Sequence, residues 1–233
     1  DINDFISGFS ILLKDNGVST FEFPHLLRLA EHTQFDTIYH EHYSYLSLIA
    51  VQKIFVSNGL EVFDVEEILT NGGSLRVFAQ KKNVGKHIIT DRVRNLLEKE
   101  KEMGIDTISF YNGFQNKINN AKNRMLEFLI QANRNNSKVI GYGAAAKGNT
   151  FINYAGIRSD LVSFVVDKNP HKQNKFLPGS RIPIYNEQMI REKKPDFVVI
   201  FPWNLKAEIS NQLSYIREWG GKFVVAIPEL EVF

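Results

Sequence analysis

Residues 137–233 alternate short apolar runs with amphipathic stretches, and this alternation constrains the fold more than any other feature of the chain. The apolar runs have the length and β-branched composition of buried strands, and they cover residues 139–140, 162–166, 197–201 and 223–227. Helical stretches at 186–191 and 205–219 lie between them. Since parallel strands need long crossovers, usually helices, this pattern predicts a Rossmann-like, doubly wound α/β domain with a parallel sheet.

Residues 1–83 predict a different arrangement, in which helices accompany an antiparallel hairpin. The strand-like runs 60–69 and 74–80 are joined by Asn71-Gly72-Gly73, and Asn-Gly-Gly between two strands is a strong hairpin signal. The residues before this hairpin predict an N-terminal helix, a strand over 18–23, a helix whose first residue is Pro24, and a helix capped by Ser47.

A polar stretch at 81–86 marks the predicted boundary between two domains, 1–83 and 84–233. The helical pattern of residues 88–134 breaks near Gly104, which predicts two helices that link or brace these domains. The predicted fold class is therefore α/β, with the hairpin part first, then a helical brace, then the parallel domain.

Composition excludes several classes of function. The chain has 28 Lys and Arg against 26 Asp and Glu, so it lacks the strongly basic field that nucleic-acid binding uses. It has no cysteine, which excludes disulfides, thiolate catalysis and Cys-ligated zinc within these residues. No apolar run is long enough to span a membrane, and the first ten residues do not resemble a signal peptide. We expect a soluble, cytoplasmic protein with a small-molecule partner; nothing predicts its oligomeric state.

The densest cluster of functional groups is Tyr39-His40-Glu41-His42-Tyr43. Histidine is the natural base near neutral pH, and a neighbouring carboxylate can orient it, so the cluster favours acid–base chemistry. A metal site at His40 and His42 is less well supported, because no third ligand lies nearby in the sequence. A polar loop that packs two tyrosines is the remaining interpretation. No metal ligand is therefore assigned.

A second candidate is the segment from Gly141 to Thr150, which follows a strand and opens a helix. A glycine turn at this place can bring backbone amides to a phosphate, and Lys147 adds a cation. The dinucleotide fingerprint is incomplete, since Ala146 stands where the third glycine is usual, and Gly148 after Lys147 excludes a P-loop. The segment therefore favours a nucleotide-binding turn over a tight turn that binds no ligand. It does not identify the nucleotide as NAD.

Three further side chains are predicted near the same ligand. Asp167 ends the next strand and could accept a hydrogen bond from a ribose or sugar hydroxyl. Trp203 and Asn204 follow the third strand, and the carboxyl ends of strands line the ligand crevice in such sheets. For Trp203 the sequence favours packing of a helix onto the sheet over a ligand contact, and Asn204 could equally cap the helix that follows.

Taken together, the chain resembles the S-adenosylmethionine-dependent sugar C-methyltransferases, which act on nucleotide-linked 4-keto deoxysugars. The active-site segment FDTIYHEHYSYLS, residues 35–47, carries the most specific likeness. Residues 1–24 are similar to the late helix and strand of a class I methyltransferase domain. The family's C-terminal domain is matched by IGYGAAAKGNTFINYAGI, FVVDKNPHKQNKFLPGSRIPI, FPWN and IPELEV.

The resemblance implies methyl transfer to a carbon next to a ketone, after a base has removed the proton from that carbon. By position in the motif, His42 is the implied base, and Glu41 and Tyr39 orient it or hold sugar oxygens. The implied substrate-binding residues, which would hold the diphosphate and the nucleoside, are Gly141, Tyr142, Gly143, Lys147, Asn149, Asp167, Trp203 and Asn204.

The same resemblance implies that residues 1–83 are the C-terminal part of a class I methyltransferase domain and residues 84–233 a substrate-binding domain. It implies a fragment, because the family's zinc-binding domain and the glycine-rich turn that holds S-adenosylmethionine would both precede residue 1. The donor site is then largely outside this chain. Two alternatives stay open: an NAD(P)-binding oxidoreductase that uses Gly141, Gly143 and Asp167, and a non-catalytic nucleotide-sugar-binding module.

Overall fold

The computed structural model describes residues 1–233, which form two compact units. Unit 1 comprises Asp1–Glu31 and Tyr43–Gly113, and unit 2 comprises His32–His42 and Phe114–Phe233. The chain therefore leaves unit 1 after Glu31, packs residues 32–42 into unit 2, and returns at Tyr43. This division differs from the predicted boundary at residues 83 and 84 in two places. Residues 84–113 belong to unit 1, because Val93 and Leu96 pack in its core, and residues 32–42 belong to unit 2. Local sequence patterns do not encode such packing.

Unit 1 is built on a three-stranded antiparallel sheet with the strand order β1–β3–β2. Its elements are α1 (Ile2–Leu12), β1 (Val18–Pro24), α2 (Leu26–Glu31), α3 (Leu48–Ser57), β2 (Leu60–Ile68), β3 (Ser74–Lys81), α4 (Asp91–Glu102) and α5 (Ile108–Tyr111). The hairpin predicted from Asn-Gly-Gly is formed by β2 and β3. Asn71 and Gly73 adopt positive φ angles of 56° and 124°, the conformation that these residue types tolerate best.

The two elements that flank residues 32–42 differ in how well the sequence predicts where they begin and end. Ser47 caps α3 as predicted, its hydroxyl accepting the N–H of Ala50 at 3.2 Å. Pro24 does not open a helix: it is the last residue of β1, paired with Ser74, and α2 begins at Leu26. A proline at the end of an edge strand costs no ladder hydrogen bond, so strand pairing prevails over the helix signal.

The predicted helical brace is split between the two units. The chain does break at Gly104, whose φ of +72° ends the helical run after α4. Before the break, α4 buries Val93 and Leu96 in the core of unit 1. After it, α6 (Phe114–Arg134) buries Met125 and Leu129 in unit 2. Each helix is therefore part of one hydrophobic core.

Unit 2 contains a seven-stranded sheet with the order β10–β9–β8–β4–β5–β7–β6. The five inner strands are parallel and the two edge strands antiparallel, which confirms the predicted parallel α/β sheet. Its elements after α6 are β4 (Val139–Tyr142), α7 (Ala146–Ala155), β5 (Val165–Val166), β6 (Lys175–Phe176), β7 (Pro183–Tyr185), α8 (Gln188–Lys193), β8 (Phe197–Ile200), α9 (Lys206–Gln212), β9 (Lys222–Val225) and β10 (Glu231–Val232).

Helices cover both faces of this sheet. Helices α6 and α7 pack on one face with Val139 of β4, whereas α8 and α9 pack on the other with Ile140, as the alternation of side chains along a strand requires. The chain continues from β4 into α7 on the first face and from β8 into α9 on the second. Adjacent strands β4 and β8 thus form the switch point of the sheet, where such folds place their ligands. None of the helices is both long enough and apolar enough to cross a membrane.

Candidate functional site

Residues 32–42 are anchored in unit 2 by one aromatic side chain. Phe35 is buried and begins a 3₁₀ turn, Phe35–Thr37. Its ring packs against Phe151 and Tyr154 of α7, with centroid separations of 5.8 and 5.1 Å. Because large aromatic side chains contribute most to a core, this contact attaches the segment that carries His42 to the helix next to the switch point.

The backbone orients the His42 ring. Its Nδ1 lies 2.8 Å from the carbonyl oxygen of Thr37. A carbonyl oxygen only accepts hydrogen bonds, so Nδ1 carries the proton in the neutral ring and Nε2 keeps its lone pair. His42 is half-buried, and this geometry leaves it with the tautomer that a general base needs at Nε2.

The structure brings Tyr39 and His42 together. Their ring centroids are 4.2 Å apart. The backbone N–H of His42 donates to the backbone carbonyl of Tyr39 at 3.0 Å, which closes a tight turn. Glu41 is exposed, and the Thr37 carbonyl occupies the orienting position that the sequence suggested for it. His40 is exposed as well, and no three His, Cys, Asp or Glu side chains converge on a point that could hold a metal ion.

A buried carboxylate lies one residue before Thr37. Asp36 is 1% exposed, and its Oδ2 accepts the indole N–H of Trp203 at 2.8 Å. The Lys147 ammonium lies 4.9 Å from the centroid of the Trp203 ring, a cation–π distance. Trp203 thus contacts a carboxylate with its N–H and a cation with its ring face. Trp203 also packs against the hydrophobic cores of unit 2, the role that the sequence offered besides a ligand contact. It lies beside Lys147, which the sequence predicts as a phosphate contact.

Burial shifts both charges of this cluster towards their neutral forms. It raises the pKa of the Asp36 carboxyl above its usual value, although the Trp203 hydrogen bond and the Lys147 charge act in the opposite direction. It lowers the pKa of Lys147, which the charge of Asp36 partly offsets. The second Asp36 oxygen, Oδ1, is buried without a hydrogen-bond partner, as is Oδ1 of Asn149 on α7.

Sequence reasoning missed Asp36 and Thr37. Neither residue type signals a role by itself, and the hydrogen bond of Asp36 reaches a residue 167 positions away. The available signal was the place of both residues in FDTIYHEHYSYLS, directly before the histidine cluster.

The glycines at the end of β4 and the start of α7 make room for protein atoms. A Cβ on Gly141 would lie 2.5 Å from the Phe201 ring, and one on Gly148 would lie 2.7 Å from the Phe201 Cβ. A Cβ on Gly143 would lie 2.6 Å from the Pro202 Cδ, and its φ of +93° favours glycine as well. Close packing of residues 201–202 therefore accounts for these glycines, and this supports the tight-turn interpretation of the motif.

Asp167 holds this turn in place. One carboxylate oxygen accepts the N–H of Ala144 at 2.7 Å, and the other accepts the N–H of Asn169 at 2.8 Å. The Lys172 ammonium lies 3.5 Å from the first oxygen. The Asp167 carboxylate and the Ala144 amide of the glycine turn are thus hydrogen-bonded to each other. In a dinucleotide site the carboxylate would instead bind the ribose and the amides of the turn the pyrophosphate. The NAD(P) interpretation is not favoured.

Two other predicted residues also have structural contacts. Tyr142 is buried on the α8–α9 face, and its hydroxyl donates to Glu187 at 2.7 Å. Burial, followed by the Glu187 hydrogen bond, raises the pKa of this phenol strongly, so it stays protonated. Asn204 lies in a 3₁₀ turn, Trp203–Leu205, and the cap of α9 is Leu205, not Asn204.

Comparison with known proteins adds an independent result. Residues 69–228 match a family described as the C-methyltransferase C-terminal domain. Over 232 residues the chain is 35% identical to the C-methyltransferase NovU of Streptomyces niveus. That match covers the whole of this chain and 55% of NovU, so the chain spans about half the length of this relative.

Proposed function

Because this chain belongs to the C-methyltransferase C-terminal domain family, we propose that its protein methylates a carbon next to the ketone of a nucleotide-linked 4-keto deoxysugar. His42 is the proposed general base. The observation that carries this assignment is the 2.8 Å hydrogen bond between His42 Nδ1 and the Thr37 carbonyl, which keeps the lone pair on Nε2.

The reaction needs a base because a carbon next to a ketone becomes nucleophilic only after it loses a proton. His42 Nε2 takes that proton, and the electron pair of the broken C–H bond forms an enolate with its negative charge on the ketone oxygen. A hydrogen-bond donor near that oxygen stabilises the developing charge. Tyr39, whose ring packs on His42, is proposed to hold sugar oxygens, and Glu41 is proposed for a second sugar contact.

S-adenosylmethionine is the proposed methyl donor and, when bound, supplies the electrophilic methyl group. In unit 1, β1 passes to α2 through Pro24 and His25, and His25 is buried against Glu100. The connection from β3 to α4, residues 82–90, contains a single glycine, Gly85. The described residues do not fit a donor site by themselves. The donor site, and the zinc that the resemblance implies, are proposed for residues outside this sequence.

The nucleotide part of the substrate is proposed to bind near Lys147. This residue lies in the first turn of α7 at the carboxyl end of β4, so its charge and the helix N-terminus both attract a diphosphate. Asn149, on the same helix, has a carboxamide oxygen without a partner. This oxygen is proposed to accept a hydrogen bond from an N–H or O–H group of the nucleoside, since the diphosphate has no donor. Gly141, Gly143 and Asp167 are proposed to shape the turn beside this contact, and Tyr142 to support it from the α8–α9 face.

Hydrogen exchange at the substrate carbon tests the base. In D₂O without methyl donor, the complete protein should exchange the hydrogen beside the ketone of a dTDP-linked 4-keto deoxysugar for deuterium, followed by NMR. His42→Gln should slow both this exchange and methyl transfer by about 100-fold or more, because base catalysis contributes on that scale. His40→Gln is the control, since His40 is exposed and two residues away; it should exchange normally. Unchanged turnover in His42→Gln would refute the assignment.

Calorimetry separates the proposed substrate from the alternatives. We expect binding of a dTDP-linked sugar and none of NADH. Tight NADH binding without nucleotide-sugar binding would refute the proposal and restore the oxidoreductase. Nucleotide-sugar binding by a complete protein that never transfers a methyl group would indicate a non-catalytic binding module.

The diphosphate contact is tested by two lysine variants on opposite ends of β4. Lys147→Ala should raise the Kd for a dTDP-linked sugar about 10- to 150-fold while changing kcat less, because a charged hydrogen bond contributes about 1.5–3 kcal/mol. Lys138→Ala removes an exposed lysine before the start of β4 and should bind normally. Equal affinities in the two variants would contradict a role of Lys147 in holding the diphosphate.

A further inference from the structure

A chain of contacts runs from the end of β8 to the His42 ring. It begins at Trp203, just after β8, whose indole N–H donates to Asp36 Oδ2 at 2.8 Å. It continues through one peptide unit to Thr37, whose carbonyl oxygen lies 2.8 Å from His42 Nδ1. Two hydrogen bonds and one covalent link therefore connect the parallel sheet to the base.

The turn between these two bonds is locally rigid. Asp36 is the middle residue of the 3₁₀ turn Phe35–Thr37, and the Thr37 hydroxyl donates to the Gln34 carbonyl at 2.9 Å. Phe35 fixes one end of the turn in the core, and the Trp203 hydrogen bond fixes its centre. With both points held, the direction of the Thr37 carbonyl is set, since few backbone dihedral angles remain free between them.

We propose that Asp36 is a positioning residue for His42: held by Trp203, it fixes the Thr37 carbonyl that selects the Nδ1–H tautomer and the ring orientation. The proposal rests on the proposed function only where it calls His42 a base. It also gives Trp203 a role that differs from the predicted substrate contact.

A carboxylate suits this role better than a neutral acceptor would. Hydrogen bonds to an ionised acceptor are about twice as strong as neutral ones, so an ionised Asp36 would hold the indole firmly. Burial raises the pKa of the Asp36 carboxyl, and the neighbouring charge of Lys147 acts against that shift, towards the ionised form that accepts most strongly.

The ring nitrogens of His42 report the positioning directly. We expect ¹⁵N-histidine NMR of the complete protein to show His42 with a protonated Nδ1 and an unprotonated Nε2, the resonances being assigned with His42→Gln. In Asp36→Ala and in Trp203→Phe, the two ¹⁵N shifts should move towards each other as both tautomers become populated. In the same variants kcat should fall on the order of 10- to 100-fold while KM stays within about twofold, because a misplaced base slows chemistry more than binding. Asp36→Asn retains a neutral oxygen acceptor, which bonds more weakly than a carboxylate, and should recover both properties in part.

The two tryptophans of the chain provide a matched control. Trp219 donates its indole N–H to the Pro195 carbonyl at 3.0 Å, so Trp219→Phe removes a comparable bond elsewhere in unit 2. It should lower stability without moving the His42 shifts. If Asp36→Ala does not fold, Trp203→Phe carries the test alone.

Unchanged His42 shifts in folded Trp203→Phe would overturn the proposal, as would equal shift changes in Trp219→Phe. A KM increase without loss of kcat in Trp203→Phe would also overturn it and favour a substrate contact. The NMR result does not depend on methyl transfer. Shifts that move as expected, in a protein whose His42→Gln variant keeps full activity, would therefore support the positioning and refute the base assignment alone.

Discussion

At the scale of single residues, Asp36 combines two properties that rarely occur together in a protein interior. One of its carboxylate oxygens accepts the indole N–H of Trp203, whereas the other has no hydrogen-bond partner. Burial raises the pKa of this carboxyl, so the folded protein binds the Asp36 proton more tightly than the unfolded chain does. Protonation of Asp36 therefore contributes to the pH dependence of the free energy of unfolding.

We expect the substitution Asp36→Asn to show that dependence. The wild-type free energy of unfolding should lose the Asp36 contribution as the pH rises from the ordinary value of 3.8 through the raised folded-state pKa. Asparagine does not titrate, so the stability of Asp36→Asn relative to wild type should increase between about pH 4 and pH 7. Urea unfolding at the two pH values measures this, with the exposed Asp160→Asn as control. A difference that is constant or decreases would contradict the direction of the shift.

At the scale of secondary-structure elements, one buried carboxylate contacts the chain both before and after residues 32–42. Glu100 of α4 accepts the N–H groups of Leu48 and Ile49, each at 2.8 Å, at the start of α3. The same carboxylate lies 2.7 Å from Nε2 of His25, which precedes the excursion. The start of a helix carries unpaired N–H groups and a partial positive charge, which explains why a carboxylate is stable there.

Removing this carboxylate should be costly. Glu100→Ala leaves two amides of α3 and the buried His25 without their partner, and we expect the free energy of unfolding to fall by about 3–5 kcal/mol. Glu98→Ala, an exposed glutamate on the same helix, should change it by less than about 0.5 kcal/mol. Chemical denaturation of both variants gives the comparison. Similar values for the two would show that the bonds of Glu100 add little to stability.

Steric contact at the β4–α7 turn leads to a second prediction at this scale. Gly143 and Gly156 both have positive φ angles, 93° and 71°, but only Gly143 has a neighbour that an added Cβ would meet. Both alanine variants should be destabilised by strain, and Gly143→Ala by a further 1–3 kcal/mol or so because the turn is overpacked against Pro202. Thermal and urea unfolding measure both. Equal losses would show that Pro202 moves aside freely.

At the scale of the whole molecule, the two compact units are interleaved along the chain: residues 32–42 belong to one unit and both of their flanks to the other. Each unit has its own hydrophobic cores and its own sheet. Protein segments that share a core tend to open together, whatever their order in the sequence. The units of local unfolding should therefore follow packing and not the chain order.

Hydrogen exchange followed by mass spectrometry tests this expectation. Glu100→Gln should speed amide exchange in unit 1, including α3, without affecting β4 and β8. Trp219→Phe should speed amide exchange in unit 2, including β4 and β8, without affecting unit 1. The informative peptide is 32–42, which should follow the Trp219 variant because it is packed in unit 2. Exchange of this peptide that instead followed the Glu100 variant would contradict the assignment of 32–42 to unit 2.

The sequence by itself determined the elements whose signals are local. The β2–β3 hairpin follows from Asn71-Gly72-Gly73, and the parallel sheet follows from alternating apolar runs. Strands β6, β7 and β10, with two or three residues each, are too short to show any periodicity and were not predicted. The Tyr39–Tyr43 cluster was recognised because its functional groups lie within five consecutive residues.

Only the tertiary structure decided what these residues contact. It packed residues 32–42 into unit 2, directed Asp167 towards Ala144, and assigned the orientation of His42 to the Thr37 carbonyl. It also paired Asp36 with Trp203 across 167 positions. Propensity and periodicity describe a residue and its near neighbours, whereas a hydrogen bond between distant residues exists only once a core has brought them together. The candidate base is therefore visible in the sequence, and the contacts that orient it are not.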